Sequence, residues 1–422
     1  MKPAGSLARY LTHAARRRPA ALALSCAGQS WTFAALLADA GALGATLAGN
    51  PGPFILPAGS LDLARHAYAC SFEKRPFWPV DRNRSIHWTA ELPPGVALVI
   101  STSGSEGEPR GVLLSNANLD AAAAASNQLL PLGAGDLWLN CLPLYHIGGQ
   151  AILWRCARAG AGVLLHDGFH AEAVAADLLR HPVSHLSLVP AMLARLLDAG
   201  ATPPASLRHV LIGGAALSQT LFERASAAGW PLNPSYGMSE TAAQIATWTP
   251  TDGPWHEGLV GHPLGNNEFA LAADGRIRIR GPQVMLGYLS GGGVDEDGWL
   301  STGDLGKIDA FGRLTVTGRA DDMLVSGGRN VHPLEIESCL TACPGVRDVA
   351  VTGLPDPVWG DLIVALVVGE APRKDLLAWC KARLPNAAQP RRIVHLDTLP
   401  RNAAGKLERA ALRRLARAAE PC

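Results

Sequence analysis

The segment Ser101-Thr-Ser-Gly-Ser-Glu-Gly-Glu-Pro-Arg-Gly111 concentrates glycine and hydroxyl residues between an apolar run and a helical stretch. The apolar run, residues 96–100, has the pattern of a buried strand, and the helical stretch begins near Asn116. Backbone N–H groups and hydroxyl donors of such a loop can surround a polyphosphate. The G-K-[S/T] ending of a Walker A loop is absent. On residue types alone, a flexible surface loop is an equal alternative to a phosphate site.

Strand-like and helical stretches alternate around this segment, from Ala20 to about Pro250. The alternation is typical of an α/β domain with parallel strands. The predicted elements after the loop are helix 116–130, strand 137–141, strand 163–165, helix 171–179, strand 186–189, helix 191–197, strand 209–211 and helix 219–228.

The sequence pattern changes after Pro250, where short strand-like runs separated by glycine turns predict a small β-rich subdomain. From Asp322 onward, helical and strand patterns predict a small α+β unit of about 100 residues, a size typical of a domain. We therefore expect an α/β N-terminal domain, residues 1–320, made of parallel-sheet subdomains and the β-rich subdomain. An α+β C-terminal domain, residues 321–422, follows it.

Composition limits the class of protein. The chain has 422 residues, of which 48% are hydrophobic and 17% charged, so it can bury a large core. The net charge of +1 gives no reason to expect nucleic acid or an anionic membrane as a partner. The arginines 16–18 precede a short apolar run, which we interpret as a first helix followed by a strand and not as a secretory signal. Eight scattered cysteines without a CxxC pair favour reduced thiols and a cytoplasmic location.

Four further motifs carry polar chemistry. Tyr236-Gly-Met-Ser-Glu-Thr241 offers an aromatic ring and a carboxylate, which suit a base and a magnesium ion bridging phosphates. Asp304, in Ser301-Thr-Gly-Asp304, can accept two ribose hydroxyls. The last two motifs are Gly318-Arg-Ala-Asp-Asp-Met-Leu-Val-Ser-Gly-Gly328 and Pro400-Arg-Asn-Ala-Ala-Gly-Lys-Leu-Glu408.

The order and spacing of the five motifs resemble those of the acyl-adenylate-forming superfamily of acyl- and aryl-CoA synthetases, luciferases and adenylation domains. The resemblance implies an AMP-forming acid–thiol ligase that uses ATP, Mg²⁺ and coenzyme A or the phosphopantetheine of a carrier protein. It also implies a hinge at Asp321, about which a mobile C-terminal domain swings. The implied catalytic residues are Lys406, Glu240 and Arg319, with Glu240 as the metal ligand.

Binding roles follow from the same resemblance. The residues that it implies for ATP or AMP binding are Thr102, Ser103, Gly104, Ser105, Gly107, Arg110, Gly214, Ala215, Tyr236, Gly237, Ser239, Thr241, Asp304 and Arg319. Those that it implies for the acyl pocket and thiol tunnel are His146, Gly213, Gly327 and Gly328. Arg110 stands where the family usually has Lys, and the stretch 50–94 is compressed relative to typical members.

The implied chemistry has two steps. Attack of a carboxylate on the α-phosphate of ATP gives an acyl adenylate and expels magnesium pyrophosphate, and a thiol then displaces AMP. Lys406 and Mg²⁺ would supply the positive charge that the first step needs. Rotation about Asp321 would then remove Lys406 and bring Gly327 and Gly328 to the thiol tunnel.

The acid is narrowed by the segment 142–149, which resembles the acyl-pocket stretch of CoA ligases. No aspartate stands in 145–149, so an amino acid substrate is disfavoured. Segments 149–155, 186–192 and 236–245 are similar to those of o-succinylbenzoate–CoA ligases of menaquinone biosynthesis, which implies an aromatic or dicarboxylic acid. Arg155 is a candidate partner for a second substrate carboxylate, with a solvated helix face as the alternative.

Two other functions stay open at this stage. A stand-alone adenylating enzyme that loads an acyl carrier protein would share the first step and the thiol chemistry. A catalytically silent sensor of nucleotide or acyl ligand would share the binding residues, but the presence of Glu240, Asp304 and Lys406 argues against it. A small-molecule carboxylic acid is the expected partner in each enzyme hypothesis.

Overall fold

A computed structural model describes residues 5–49, 52–88, 91–102, 110–402, 405 and 407–419. The helices are α1 Ser6–Arg17, α2 Phe33–Leu47, α3 Ser60–Glu73, α4 Asn116–Leu129, α5 Ile147–Ala159, α6 Ala171–Arg180, α7 Pro190–Asp198, α8 Gln219–Ala227, α9 Pro333–Thr341, α10 Arg373–Arg383 and α11 Arg409–Ala418. Short 3₁₀ turns lie at Ser239–Thr241, Pro250–Asp252 and Asn386–Ala388.

The strands up to the end of the parallel-sheet region are β1 Leu22–Cys26, β2 Gln29–Thr32, β3 Phe54–Ala58, β4 Phe77–Asp81, β5 Val96–Thr102, β6 Arg110–Ser115, β7 Leu137–Asn140, β8 Gly162–Leu165, β9 His185–Leu188, β10 His209–Ile212, β11 Leu232–Met238 and β12 Ala243–Thr247. The later strands are β13 Leu259–Gly261, β14 Glu268–Leu271, β15 Arg276–Arg280, β16 Gly287–Tyr288, β17 Leu300–Ile308, β18 Leu314–Arg319, β19 Leu324–Ser326, β20 Arg329–Val331, β21 Val346–Asp356, β22 Gly360–Gly369 and β23 Arg392–His395.

The largest sheet has the strand order β12-β11-β10-β9-β7-β8-β1-β2. Its strands β11, β10, β9, β7, β8 and β1 run parallel, and β12 and β2 are antiparallel at the edges. Strands β7, β8 and β9 are buried along their whole length, as expected for a parallel sheet covered on both faces. Ligands of such sheets bind beyond the carboxyl ends of the strands, which places the search for a site after Asn140, Leu188, Ile212 and Met238.

A second sheet, β16-β6-β5-β4-β3, holds the glycine- and hydroxyl-rich segment. Its strand β6 was not foreseen by the sequence analysis, which placed a helix directly after the loop. Thr102 pairs with Arg110 in the β5–β6 hairpin, and α4 begins only at Asn116, where Ser115 caps it. The described residues on either side of the loop are therefore two paired antiparallel strands, and α4 begins six residues after Arg110.

The compressed stretch 50–94 retains a βαβ unit in the described residues. Strands β3 and β4 pair in parallel, and α3 between them packs against α1 and α2 in the main core. Strand β4 also pairs in parallel with β5, so this unit adjoins the strand that leads into the predicted phosphate loop.

The remaining sheets confirm the predicted change from alternating helices and strands to short strands after Pro250. The antiparallel sheet β13-β18-β17-β15-β14 forms the β-rich subdomain. Strands β19 to β23 form a separate sheet with its own core, in which α9 and α10 contribute Ile336, Leu340, Leu376 and Cys380. Helix α11 packs through Leu412 and Ala416 in a different cluster with Ala350 and Val364 of this sheet. An α/β domain followed by a small α+β domain is the predicted fold class.

A group of stacked aromatic side chains lies at the amino ends of the parallel strands, away from the expected site. The His185 ring is stacked 4.9 Å from Trp138 and lies 5.1 Å from His209. His185 is fully buried, and burial lowers its pKa to about 3. This imidazole is therefore neutral in the folded protein at physiological pH.

We expect this buried histidine to make folding stability depend on pH. Because the folded-state pKa lies below the unfolded value of 6.5, the contribution is complete above pH 6.5 and is lost as the pH falls toward 3. At pH 5 the loss amounts to about 2 kcal/mol. Urea unfolding of the wild type and of His185→Phe at pH 7.5 and pH 5 measures it. The variant should lose less stability between the two pH values; equal losses would contradict the assignment.

Within the described chain, none of the helices combines the length and apolar character needed to cross a membrane. The described cysteines are free thiols, and all but Cys339 are buried.

Candidate active site

A carboxylate, a phenol and a guanidinium meet at one edge of the β-rich subdomain. The Tyr236 hydroxyl donates to Asp304 Oδ2 at 2.7 Å, and Arg319 Nη1 donates to Asp304 Oδ1 at 3.0 Å. Burial and the adjacent Asp304 raise the pKa of Tyr236 well above its ordinary value, so the phenol stays a donor. A carboxylate has about four acceptor positions, so each oxygen of Asp304 retains capacity for a ribose hydroxyl.

Strand pairing explains why Asp304 and Arg319 meet. They are direct partners in the antiparallel register of β17 and β18. Thr302 fixes the local backbone, since its Oγ1 accepts from Asp304 N at 3.1 Å and donates to Ile277 O at 2.8 Å. Tyr236 arrives from β11 of the largest sheet, so this group joins the parallel sheet to the β-rich subdomain.

Substitution of Asp304 by alanine is expected to lower kcat/KM for ATP by about 10- to 150-fold, because each hydrogen bond to a charged group contributes roughly 1.5–3 kcal/mol. Pyrophosphate exchange at varied ATP concentration measures it. Asp274→Ala, at an exposed carboxylate of the same subdomain, is the matched control and should leave the value unchanged. An unchanged KM for ATP in Asp304→Ala would remove this residue from the nucleotide site.

The glycines after β10 allow close packing beside this group. A Cβ on Gly213 would lie 2.8 Å from Ser235 Oγ, and Gly214 has a φ of +80°, which favours glycine. Gly214 and Ala215 are exposed at the carboxyl edge of the sheet; Gly214 and Tyr236 each follow the paired residues Ile212 and Pro234 by two positions. The structure thus brings these three predicted nucleotide-binding residues to one edge. Gly237 has a packing role, since a Cβ there would lie 2.0 Å from Ala243 O.

Glu240 lies on the 3₁₀ turn after β11. Its Oε1 accepts from the Tyr288 hydroxyl at 2.9 Å, and the guanidinium of Arg110 lies 5.7 Å from the centre of the Tyr288 ring. Burial and the nearby Glu240 raise the pKa of Tyr288. Tyr288 therefore links the carboxylate to the neck of the β5–β6 hairpin. The sequence analysis missed this residue; its Gly-Tyr pair in a short strand was the only signal.

The two hydroxyl candidates on this turn differ. Thr241 is fully buried, and its Oγ1 accepts from Met238 N at 3.1 Å and donates to Ala243 O at 2.9 Å. The hydroxyl of Thr241, one of the residues implied for ATP or AMP binding, therefore stabilises the turn that presents Glu240. Ser239 is half-buried and remains the candidate of the pair.

The carboxylate of Glu240 is a suitable ligand type for a magnesium ion that also binds phosphates. Mg²⁺ in phosphate-transfer sites is commonly held by one or two carboxylates together with substrate phosphates and waters. Among the residues that the structure covers, no group of three or more His, Cys, Asp or Glu residues could hold a metal ion by itself. Glu240 would thus hold the ion only together with the nucleotide.

The predicted phosphate loop is described only at its neck. Thr102 Oγ1 donates to Arg110 O at 3.1 Å and joins the two strands of the hairpin. Ser103, Gly104, Ser105 and Gly107 lie outside the described residues. Lys406 lies outside them as well.

The segment next to Lys406 reaches the large domain. Gly405 has a φ of +75°, and a Cβ there would lie 2.7 Å from Val189 Cγ2, while a Cβ on Gly214 would lie 3.3 Å from Val189 Cγ1. Val189 thus lies between Gly214, at the carboxyl edge of the largest sheet, and Gly405, the residue before Lys406. Arg401 fixes this hairpin: its Nη1 donates to Gly405 O at 2.9 Å, and its Nη2 bonds both oxygens of Asp348.

The hinge and thiol-tunnel candidates lie apart from one another. Asp321 accepts from Arg319 Nη2 at 3.3 Å, and Arg319 also bonds Asp304. Gly327 and Gly328 have φ values of +56° and +74° in the turn between β19 and β20. A Cβ on Gly327 would lie 3.2 Å from the Trp359 ring, so this turn packs within the C-terminal domain.

The predicted acyl-pocket segment is a fixed loop before α5. His146 is the N-cap residue of α5, half-buried, with its ring 4.7 Å from that of Tyr145. A Cβ on Gly149 would lie 2.6 Å from Pro143 O, and Gln150 Nε2 donates to Leu144 O at 2.7 Å. The loop therefore folds back tightly on the first turn of the helix.

The burial of Arg155 excludes one of the two alternatives that the sequence left open for this residue. Its side chain is 2% exposed, so a solvated helix face is wrong. The guanidinium lies 5.4 Å from the centre of the Trp138 ring, and burial lowers the pKa of Arg155 to about 10. Among the described residues no carboxylate contributes to its pKa, and its Nε has no hydrogen-bond partner. A buried cation without a counter-charge is costly unless a ligand supplies one.

Comparisons with known proteins agree with this geometry. Residues 72–289 match the AMP-binding enzyme family, and residues 335–406 match the AMP-binding enzyme C-terminal domain. The 2-succinylbenzoate–CoA ligase of Bacillus licheniformis is 36% identical over an alignment of 346 residues, and the match covers 78% of this chain and 71% of that protein. The Bacillus subtilis ligase of the same name is 37% identical over an alignment of 332 residues, and the match covers 75% of this chain and 68% of that protein.

A solved structure supports the same relationship. The o-succinylbenzoate CoA synthetase from Bacillus subtilis, in complex with its acyl-adenylate intermediate, has a TM-score of 0.85 and 30% sequence identity. The match covers 96% of this chain and 97% of that chain, so it includes both domains. This chain belongs to the AMP-binding enzyme family.

Proposed function

We propose that this protein is an ATP-dependent 2-succinylbenzoate–CoA ligase that works through an acyl adenylate. The acid and ATP give the acyl adenylate and pyrophosphate, and the thiol of coenzyme A then gives the thioester and AMP. The observation that carries the proposal is the meeting of the Asp304 group, Glu240 and the Gly405 hairpin around the carboxyl edge of one parallel sheet. The names of the relatives, and the adenylate in the related structure, support the choice of acid.

Each group has a distinct task in the first step. Asp304 accepts hydrogen bonds from the ribose hydroxyls, and Tyr236 and Arg319 keep its carboxylate oriented. Glu240 would hold Mg²⁺, which neutralises the charge that develops on the departing phosphates. Lys406 directly follows Gly405, which lies against Val189, and its proposed task is to stabilise the charge on the reacting carboxylate and bridging oxygen.

The second step needs a different arrangement of the C-terminal domain. Lys406 would obstruct a thiol that approaches the acyl carbon, so the domain rotates about Asp321 and the Gly327–Gly328 turn replaces the lysine hairpin. The exposure of Val325 and Val358, at 47% and 81%, fits this role, because both are apolar residues beside that turn that a second arrangement would cover.

The choice of a dicarboxylic acid rests on the names of the relatives. Arg155 is the proposed partner of the second carboxylate, because its cation is buried between α5 and Trp138 without a carboxylate from the described residues. Trp138 lies near the amino end of β7, so this role requires the acid to extend along α5 from His146, the proposed residue at the pocket entrance. A cytoplasmic location is part of the proposal, since the described cysteines are free.

A pyrophosphate-exchange assay over a panel of acids tests the proposal. The panel contains 2-succinylbenzoate, benzoate, a fatty acid and an amino acid. We expect exchange to be strongest with 2-succinylbenzoate and absent with the amino acid. Addition of either coenzyme A or a phosphopantetheinylated carrier protein then identifies the acceptor. Exchange with a fatty acid alone would reject the acid, and transfer only to the carrier protein would reject coenzyme A.

A further inference from the structure

A carboxylate of the large domain is bonded to the C-terminal domain. Glu257 lies in the loop before β13, and its Oε1 accepts a hydrogen bond from Ser338 Oγ of α9. Its Oε2 accepts from the backbone N of Gln219, the first residue of α8, at 3.1 Å. One side chain thus contacts a helix N-terminus in its own domain and a hydroxyl of the other.

The loop that carries Glu257 is rigidly held. The Trp255 indole N–H donates to Leu259 O at 2.9 Å, and its ring stacks on Phe222 of α8 at 4.2 Å. Gly258 has a φ of +82°, and a Cβ there would lie 2.3 Å from Val316 O. Because this packing fixes the loop, Glu257 cannot move with α9 when α9 is displaced. The hydrogen bond between Ser338 and Glu257 therefore forms in only one position of α9.

Helix α9 connects this contact to the lysine hairpin. Glu337, the neighbour of Ser338, accepts from Val351 N at 2.8 Å and from Arg409 Nη1 at 3.1 Å. Arg409 also pairs with Asp322, next to the hinge candidate, at 3.3 Å. Since Arg409 begins α11 directly after the hairpin, a displacement of α9 would be passed on to Gly405.

We propose that Glu257 is a positioning residue that holds the C-terminal domain in the arrangement for adenylate formation through Ser338. The inference rests on the proposed function, because it assigns the contact to one of two half-reactions. In the described arrangement Gly405 touches Val189 while Ser338 bonds Glu257, so both contacts belong to the same state. Rotation about Asp321 for the thiol step would break the Glu257 contact.

Separate measurement of the two half-reactions tests this role. Ser338→Ala removes the contact and leaves the bond from Gln219 to Glu257 intact. We expect adenylate formation, measured as the first turnover of pyrophosphate, to slow by about five- to tenfold with an unchanged KM for ATP. Thioester formation from added 2-succinylbenzoyl adenylate and coenzyme A should change less than twofold. Equal slowing of both steps, or of neither, would overturn the proposal.

Two further variants separate a positioning role from a general loss of structure. Thr341→Ala is the matched control, because it removes another hydroxyl of α9 whose bond goes to Glu337 O of the same helix. It should leave both half-reactions unchanged. In a double-mutant cycle, Glu257→Ala should slow adenylate formation less in the Ser338→Ala background than in the wild type, because the bond between the two residues is already absent there. The effect that remains is the loss of the bond from Gln219. Full additivity of the two effects would contradict direct coupling.

Formation of a disulfide between the two positions tests the contact in the absence of the carboxylic acid substrate. The variant Glu257→Cys with Ser338→Cys should form an intramolecular disulfide on treatment with diamide, detected by mass spectrometry of tryptic peptides. The crosslinked enzyme should still form adenylate and should lose at least tenfold in thioester formation until it is reduced. Failure of the wild type to activate any acid would reject the proposed function; absence of the crosslink would reject this contact.

Discussion

Replacement of Lys406 by alanine is expected to slow adenylate formation by about two to three orders of magnitude, the usual effect of removing a group that stabilises transition-state charge. The carboxylate and the α-phosphate are both negative, and the lysine directly follows Gly405, which lies against Val189 of the large domain. Rapid-quench measurement of pyrophosphate release gives the rate. Thioester formation from added 2-succinylbenzoyl adenylate should stay near the wild-type rate, because the lysine has no task in that step.

Lys374→Ala is the matched control for this experiment. Lys374 is exposed on α10 of the same domain, so its loss should change neither half-reaction. Adenylate formation at the wild-type rate in Lys406→Ala would show that the hairpin carries a different function. Equal loss in both half-reactions would place the lysine in folding or domain docking and not in the chemistry.

Replacement of Arg155 by methionine is expected to raise KM for 2-succinylbenzoate by about 10- to 150-fold, because a hydrogen bond to a charged group contributes roughly 1.5–3 kcal/mol. Methionine preserves an unbranched apolar stem over Trp138 and removes the buried charge. KM for ATP should stay unchanged. The variant should also lose its preference for 2-succinylbenzoate over benzoate, which lacks the second carboxylate. Steady-state kinetics with both acids measures these effects.

Arg158→Met is the control at the next turn of the same helix. Arg158 is exposed and donates to the Tyr10 hydroxyl, so its loss should not change selectivity between the acids. The observation that would contradict the role of Arg155 is a variant that folds, binds ATP normally and keeps the same ratio of kcat/KM for the two acids. In that case Arg155 would be a structural cation within the helix and sheet core.

Local sequence patterns were sufficient for the fold class, whereas the site residues were implied by the resemblance of five ordered motifs to a family. The structure gives the physical basis for two of these groupings. Asp304 and Arg319 are partners on two neighbouring antiparallel strands, and Gly214 and Tyr236 follow paired positions of two neighbouring parallel strands. The α+β character of the C-terminal domain followed from the changed spacing of its apolar residues.

Other features depend on distant contacts that no local pattern encodes. Tyr288 reaches Glu240 from a strand of two residues that pairs with the distant strand β6, Gly287 with Leu113 and Tyr288 with Val112. The burial of Arg155 is set by packing against Trp138, although arginine is usually exposed. Thr241 was included among the nucleotide-binding residues because it belongs to a motif, whereas the fold turns its hydroxyl toward the backbone of its own turn.

The most direct measurement of the central claim is the product balance of one reaction. The enzyme is incubated with ATP, Mg²⁺, 2-succinylbenzoate and coenzyme A, and nucleotides, pyrophosphate and thioester are quantified by chromatography and mass spectrometry. We predict that AMP, pyrophosphate and 2-succinylbenzoyl-CoA form in equal amounts and that omission of the acid abolishes all three. Formation of ADP and phosphate in place of AMP and pyrophosphate, or AMP formation that does not depend on the acid, would contradict it.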